Sequence, residues 1–165
     1  MVQAEIRWMR SRDQHADGRR MLRELVSART GLSPTDVRIT ATCPDCGGAH
    51  GRPVAEGSGL HLSVSYSTGV VVVAVATTPV GVDVEHRAQS HERLDAVLKL
   101  TGARSIERWT RTEAVLRADG RGLRVDPAEV TFDGDTASLA GVTYAVSEIA
   151  ISPELVVSVA VAAGP

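Results

Sequence analysis

Apolar residues recur along the chain at two spacings, which predict both helices and strands. Met21, Leu22, Leu25 and Val26 lie on one face of a helix predicted over 15–28. Similar helical spacing predicts helices over 92–100 and 106–118. Short apolar or alternating runs predict strands at 5–9, 37–40, 60–65, 70–76, 80–85, 129–132, 144–151 and 155–162. Because several of these strands are joined by short turns, they form hairpins, and we expect an α+β fold with mainly antiparallel strands.

Two features of the sequence each occur twice along the chain. A segment that begins at Gly31 contains Gly-Leu, a turn proline, an acidic residue and a short strand, and a segment with the same features begins at Gly122. The apolar run 70–76 is likewise similar to the run 156–162. Two copies of one unit are too few for a solenoid, and we therefore expect two similar halves that pack as a pseudo-dimer. The predicted halves are 1–79 and 80–165, with a ligand cleft between them.

Composition excludes several classes of function. The 165 residues are 43% hydrophobic and 23% charged, which is an ordinary globular balance. A net charge of -2 gives no reason to expect nucleic acid or an anionic membrane as a partner. The longest apolar run is far too short to span a bilayer, and the N-terminus has no secretory pattern, so we expect a cytoplasmic protein.

Cys43 and Cys46 form a CxxC pair that is followed by Gly47, Gly48 and, shortly after, His50. A closed zinc site needs four ligands, and the chain has no second pair of cysteines. A redox CxxC motif usually opens a helix, whereas this one continues into two glycines. The pattern favours a turn-rich loop with reduced thiols, and a metal site, a redox pair or a small zinc-binding interaction domain are the alternatives.

The most informative polar residues are Asp83 and Glu85, which interrupt the apolar strand 80–85. Side chains alternate along a strand, so both acids point to one side and repel each other. Either they are solvated at an exposed strand end or they share a hard cation such as Mg2+. Glu113 and Arg117 lie one turn apart on the predicted helix 106–118, which by itself indicates a surface ion pair. Together, three carboxylates and an arginine indicate a site for Mg2+ and pyrophosphate.

Several segments resemble the signatures of one enzyme family. GVDVE at 81–85 and WTRTEA at 109–114, with Arg117 and GRGL at 120–123, resemble the GxDxE and WTxKEAxxKxxGxGL motifs of the 4'-phosphopantetheinyl transferases. Upstream, GRP at 51–53 and LSVSYS at 62–67 are similar to the GKP and FNxSHS segments of that family. The resemblance covers most of the chain from about residue 35 to residue 123, and it is to the larger, monomeric, pseudo-dimeric type.

The resemblance implies transfer of 4'-phosphopantetheine from coenzyme A (CoA) to a serine of an acyl or peptidyl carrier protein. It implies that Asp83, Glu85 and Glu113 bind Mg2+, or alternatively Mn2+, against the pyrophosphate of CoA. Asp83, Glu113 and Arg117 would be catalytic, with Glu113 a candidate general base for the serine. This chemistry depends mainly on positioning and charge neutralisation.

The resemblance also implies a set of CoA-binding residues: Arg52, Ser65, Tyr66, Asp83, Thr112 and Arg117. Tyr66 stands where the family has histidine, and Thr112 stands where it has lysine, so two positive charges of the motif are missing. The alternative function is therefore a degenerate or repurposed member that binds CoA or a carrier protein without efficient transfer.

Overall fold

The computed structural model of this chain describes residues 3–88, 95, 96, 99 and 105–164, without the side chain of Leu123. These residues form an α+β fold with two long helices and two five-stranded antiparallel sheets. The helix predicted over 92–100 falls mostly outside the described residues, and the three of its residues that are described are helical. Within the described part of the chain, no helix is long and apolar enough to cross a membrane.

The first sheet and its helix come from the N-terminal part of the chain. Here strand β1 is followed by helix α1 and four further strands, and the order across the sheet is β1-β5-β4-β3-β2. The elements are β1 (Glu5–Arg10), α1 (Gln14–Thr30), β2 (Ile39–Thr40), β3 (Val54–Ala55), β4 (His61–Ser67) and β5 (Val70–Ala76).

The second sheet repeats this arrangement. Strand β6 is followed by helix α2 and four strands, and the order β6-β10-β9-β8-β7 again pairs the first strand with the last. The elements are β6 (Val80–His86), α2 (Ile106–Asp119), β7 (Thr131–Asp133), β8 (Thr136–Leu139), β9 (Val142–Glu148) and β10 (Leu155–Ala162). The echoed apolar runs therefore occupy equivalent strands, β5 and β10. The division into domains at 79 and 80 stays a prediction, although the chain passes from one sheet to the other there.

The ends of both helices follow from local chemistry. The side chains of Asp13 and Ser105 accept hydrogen bonds from the first-turn amides of Ala16 and Arg108. Both helices then stop at a glycine with a left-handed backbone, which is Gly120 in α2 with φ 88°. The helix predicted over 106–118 is therefore confirmed, and it extends one residue further, to Asp119.

Three apolar cores join these elements into four layers. Helix α1 packs on one face of the first sheet, and α2 packs on one face of the second. Between the sheets, valines of β5, β6 and β10 form the third core, which includes Val72, Val82 and Val157. The continuous apolar runs in the sequence are explained by this layering, because β5 and β10 are covered on both faces.

Some short elements differ from the sequence predictions. The predicted strand 129–132 begins only at Thr131, since Pro127–Glu129 forms a 3-10 turn capped by Asp126. Strands β3 and β8 were not predicted, because two to four residues give too short a pattern to reveal a period of two.

Candidate functional site

The two sheets meet where strand β6 crosses the face of β4. The hydroxyl of Ser63 accepts a hydrogen bond from the amide of Val82 at 3.0 Å, and the hydroxyl of Ser65 accepts one from Val84 at 3.2 Å. These serine side chains replace the carbonyl groups that a neighbouring strand would offer. Asp83 lies between the two bonded amides and is therefore fixed at the junction of the sheets.

Asp83 is almost completely buried, with 2% of its surface exposed. Its Oδ1 atom accepts a hydrogen bond from Ser65 at 2.9 Å and lies 3.4 Å from Nη2 of Arg117. Its Oδ2 atom has no hydrogen-bond partner among the described residues. A buried carboxylate oxygen without a partner is costly, and such an atom usually marks a binding or catalytic position.

Gly81 allows α2 to approach this part of β6. A Cβ atom at position 81 would lie 1.9 Å from the carbonyl oxygen of Ala114 and 2.4 Å from the amide nitrogen of Ala118. Only glycine leaves room for the helix backbone at this distance. The close approach sets Asp83, two residues along β6, beside Glu113 and Arg117 of the helix.

Arg117 connects the acids to the first half of the molecule. Its Nε atom lies 3.5 Å from Oε2 of Glu113, and its Nη1 donates a hydrogen bond to the carbonyl of Val64 at 3.3 Å. With the contact to Asp83, the guanidinium touches two acids on one side and strand β4 on the other. The sequence-predicted ion pair is thus present, but it lies at the sheet junction and not on the outer surface.

The pKa values of two of the acids, Asp83 and Glu113, are raised. Burial raises the pKa of Asp83 to about 8, with Arg117 opposing the shift and the charges of Glu113 and Glu85 adding to it. Burial also raises the pKa of Glu113, again opposed by Arg117 and increased by Glu85. Carboxyl groups with raised pKa values in a cleft are characteristic of functional sites.

The three acids fit a hard divalent cation by their donor chemistry. They offer carboxylate oxygens only, which suits Mg2+, and the unpartnered Oδ2 of Asp83 is a ready ligand atom. As the side chains stand, they do not form one compact ligand group among the described residues, because Arg117 lies between Asp83 and Glu113. Glu85 and Glu113 are only partly buried, whereas Asp83 is buried.

A cavity of about 420 Å³ adjoins Arg117 and is lined by both halves. Five of its lining residues are basic, and none of the described lining residues is acidic. The basic residues are His15, Arg19, His50, Arg52 and Arg117. A concave, positively charged surface of this kind is suited to a multiply charged anion such as a phosphate ester.

Arg52 reaches from the first half to the end of α2. Its Nη1 atom lies 2.5 Å from the position of a Cβ added to Gly120, and its Nη2 is buried without a hydrogen-bond partner among the described residues. Burial lowers the pKa of Arg52, and the nearby Asp119 opposes that effect. The unused donor of a buried guanidinium is available to an anionic ligand in the cavity.

The predicted CoA-binding residues divide into three groups. Arg52, Tyr66 and Arg117 line the cavity, and the ring of Tyr66 lies with its centroid 4.5 Å from that of His15. Ser65 and Asp83 belong instead to the buried junction. Thr112 is buried and donates its hydroxyl hydrogen to the carbonyl of Arg108 at 2.9 Å, and it does not line the cavity.

Arg19 was not predicted from the sequence. It lies four residues after His15 on α1, so both side chains project from the same face of the helix toward the cavity. This spacing is visible in the sequence, but only the fold brings this face of α1 to a cavity that the second half also lines.

The cysteine loop has a more defined geometry than its sequence suggested. The ligand atoms of Cys43, Cys46 and His50 lie within 4.8 Å of one another. Both cysteines are free thiols, Cys43 buried and Cys46 exposed. This cluster is separate from the acids, and its His50 also lines the cavity.

Comparison with known proteins does not place this chain in a family. No model of a known protein family matches it, and no curated protein matches it significantly.

Proposed function

We propose that this protein is a Mg2+-dependent 4'-phosphopantetheinyl transferase that acts on CoA and on an acyl or peptidyl carrier protein. The observation that carries the proposal is the position of Arg117, which lines the basic cavity and contacts the buried Asp83 and the partly buried Glu113. A pyrophosphate held by arginines on one side and by a metal on the other needs this pairing. The motif resemblance supplies the identity of the ligand.

The cavity has the chemistry to bind the phosphates of CoA. Its volume lies within the roughly 300–1,000 Å³ typical of small-molecule sites. His15, Arg19 and Arg52 of the first half and Arg117 of the second half all line it, so both halves attract negative groups. Arginine binds phosphate oxygens through two parallel hydrogen bonds, which orients the ligand as well as holding it.

Asp83, Glu85 and Glu113 are the residues that would hold Mg2+. The ion would supply charge neutralisation at the pyrophosphate oxygens as negative charge develops there. Arg117 contributes a second positive charge next to the same acids. Its contacts to Val64 and Glu113 hold the guanidinium in place before the ligand arrives.

In the proposed reaction, the serine oxygen of the carrier protein forms a bond to the phosphorus atom that bears the pantetheine group. The bond from this phosphorus to the oxygen shared with the adjacent phosphate breaks, and that oxygen leaves with the electron pair as part of adenosine 3',5'-bisphosphate. Glu113 accepts the serine proton.

A second candidate function is binding of CoA or of a carrier protein without efficient transfer. Tyr66 is a neutral side chain in the cavity lining, and Thr112 is turned away into a helix hydrogen bond. Two charges of the family pattern are therefore missing, and each charge-assisted hydrogen bond is worth about 1.5–3 kcal/mol. The presence of all three acids favours transfer, since like charges held together serve no purpose in simple binding.

The first test measures transfer directly. Incubation with Mg2+, CoA and candidate carrier proteins is expected to increase the intact mass of at least one carrier by one phosphopantetheine. The matched controls are a carrier whose acceptor serine is replaced by alanine and the Glu113→Gln enzyme, which keeps the size of the side chain but cannot accept the proton. CoA binding without any mass gain across a broad carrier panel would favour the second candidate function.

Arg52→Ala is expected to weaken CoA binding by roughly 10- to 100-fold, the equivalent of losing one charge-assisted contact of about 1.5–3 kcal/mol. Titration calorimetry measures the effect. Arg12→Ala is the matched control, because Arg12 is an exposed arginine outside the cavity lining. Equal affinities of the two variants would show that the cavity is not the CoA site.

A further inference from the structure

The loop between β2 and β3 gathers three side chains that bind soft metal ions. Sγ of Cys46 lies 2.9 Å from Nε2 of His50, and the ligand atoms of the three residues all lie within 4.8 Å of one another. Ligands of a tetrahedral zinc ion, at metal distances of about 2.0–2.3 Å, stand roughly 3.3–3.8 Å apart. Small side-chain rotations are enough to reach that geometry.

The backbone of this loop holds the ligands in place. The amide of Cys43 donates to the carbonyl of Gly48 at 2.8 Å, and the amide of Gly47 donates to the carbonyl of Cys43 at 2.8 Å. Gly47 adopts a φ of 71°, which favours glycine and turns the chain back. The closed turn presents both sulfur atoms to one side.

A backbone amide also points at one of the sulfur atoms. The amide of Gly48 donates to Sγ of Cys46 at 3.4 Å. Hydrogen bonds to sulfur stabilise thiolate, which is the form that binds metal. A loop that served only as a connection would not need this arrangement.

We propose that Cys43, Cys46 and His50 bind one Zn2+ ion, with a water molecule as the fourth ligand. Thiolate and imidazole ligands select zinc over Mg2+, so this site is chemically distinct from the carboxylate cluster around Asp83. The sequence favoured reduced thiols because it offers two cysteines only. The fold brings His50, which the sequence already offers as a third ligand, within reach of both cysteines, and three protein ligands with one open position are a well-established zinc arrangement.

The position of the loop gives the metal a role. Arg52 follows His50 by two residues, and both line the cavity. The loop also reaches the second half, where Nη1 of Arg124 lies 3.5 Å from Oδ1 of Asp45. A bound ion would fix the segment that carries Arg52 and so set the shape of one wall of the cavity.

Metal analysis of the untagged protein, purified without added metal, tests the proposal. We expect about one zinc per chain, and a strong decrease in Cys46→Ser and in His50→Asn. Both side chains are exposed, so these substitutions leave the core intact. His86→Asn is the matched control, since His86 is half-buried and lies outside the cluster, and it should keep its zinc.

Cobalt provides an independent measurement in the same proteins. Co2+ bound to two thiolates and an imidazole is expected to give sulfur-to-metal absorption in the near ultraviolet and visible bands of a tetrahedral ion, which Zn2+ then displaces. Each ligand variant should bind Co2+ more weakly by more than the roughly 10- to 100-fold typical for loss of a secondary partner.

Three results would overturn the zinc proposal. They are absence of zinc together with no Co2+ spectrum, zinc content that is the same in both ligand variants and the His86 control, and a Cys43–Cys46 disulfide that added Zn2+ does not prevent. None of these measurements involves CoA or a carrier protein, so their outcome is independent of the transferase proposal.

Discussion

Asp83→Asn is expected to increase the free energy of unfolding at pH 8 and to abolish the additional stability that Mg2+ with CoA gives to the protein. Both effects come from one buried side chain. The carboxylate is costly to hold between the sheets, where Glu85 and Glu113 add negative charge and Arg117 provides only partial compensation. Asparagine has the same shape without the charge, but it is a poor ligand for Mg2+.

The sign of the pH dependence follows from the pKa of Asp83. It is about 8 in the folded protein and 3.8 as the ordinary reference, so the folded state binds a proton more tightly than the unfolded state does. Stability contributed by the protonated group is complete below about pH 4 and is lost as the pH rises toward 8. At pH 8 the expected gain from asparagine is about 2–5 kcal/mol.

Urea unfolding at pH 5 and pH 8 measures the first effect, and thermal shifts with Mg2+ and CoA measure the second. Asp36→Asn is the matched control, because Asp36 is an exposed acid on a loop. It should leave both measurements unchanged. If Asp83→Asn keeps the pH dependence of the parent, then Asp83 does not ionise within this range. If it keeps the metal-dependent shift, then it is not a metal ligand.

Gly81→Ala is expected to destabilise the protein by about 3 kcal/mol or more, at the upper end of what overpacking usually costs. The added methyl group would meet the backbone of α2 at Ala114 and Ala118, where no side chain is able to move aside. The helix must shift away from β6, and Arg117 moves with it. We therefore expect weaker CoA binding in addition to lower stability.

Equilibrium denaturation measures the free energy of unfolding of Gly81→Ala and of the control Gly164→Ala. The comparison separates the steric clash at position 81 from the general effect of replacing glycine by alanine. Gly164 has open space around its Cβ position, and its backbone does not need a positive φ. The control should be close to the parent in stability. A Gly81→Ala protein of parental stability would contradict the close approach of helix and strand.

The long elements were predictable because their patterns extend over several turns or residue pairs. Helices α1 and α2 and strands β5 and β10 agree with the sequence predictions to within two residues at each end. The alternation of Asp83 and Glu85 with Val82 and Val84 also held, with the valines in the core between the sheets. These features depend on local spacing, which a sequence displays directly.

Features that depend on contacts between distant parts of the chain were harder to predict from the sequence. The position of Thr112 in the motif predicted that it lies beside the phosphate site. In the structure its hydroxyl donates a hydrogen bond to a carbonyl of the same helix, and Thr112 does not line the cavity. Arg19 entered the site only through the packing of α1. The three-ligand geometry at Cys43, Cys46 and His50 depends on a turn whose backbone hydrogen bonds leave little trace in residue types.

The serine contacts at the sheet junction have a consequence for solubility. Strand β6 lies at an edge of its sheet, and an uncovered edge invites pairing with strands of other molecules. The hydroxyl groups of Ser63 and Ser65 accept hydrogen bonds from the amides of Val82 and Val84. These amides are therefore satisfied without a further strand pairing at the edge. The same two side chains that fix Asp83 thereby keep this edge strand from acting as a template for aggregation.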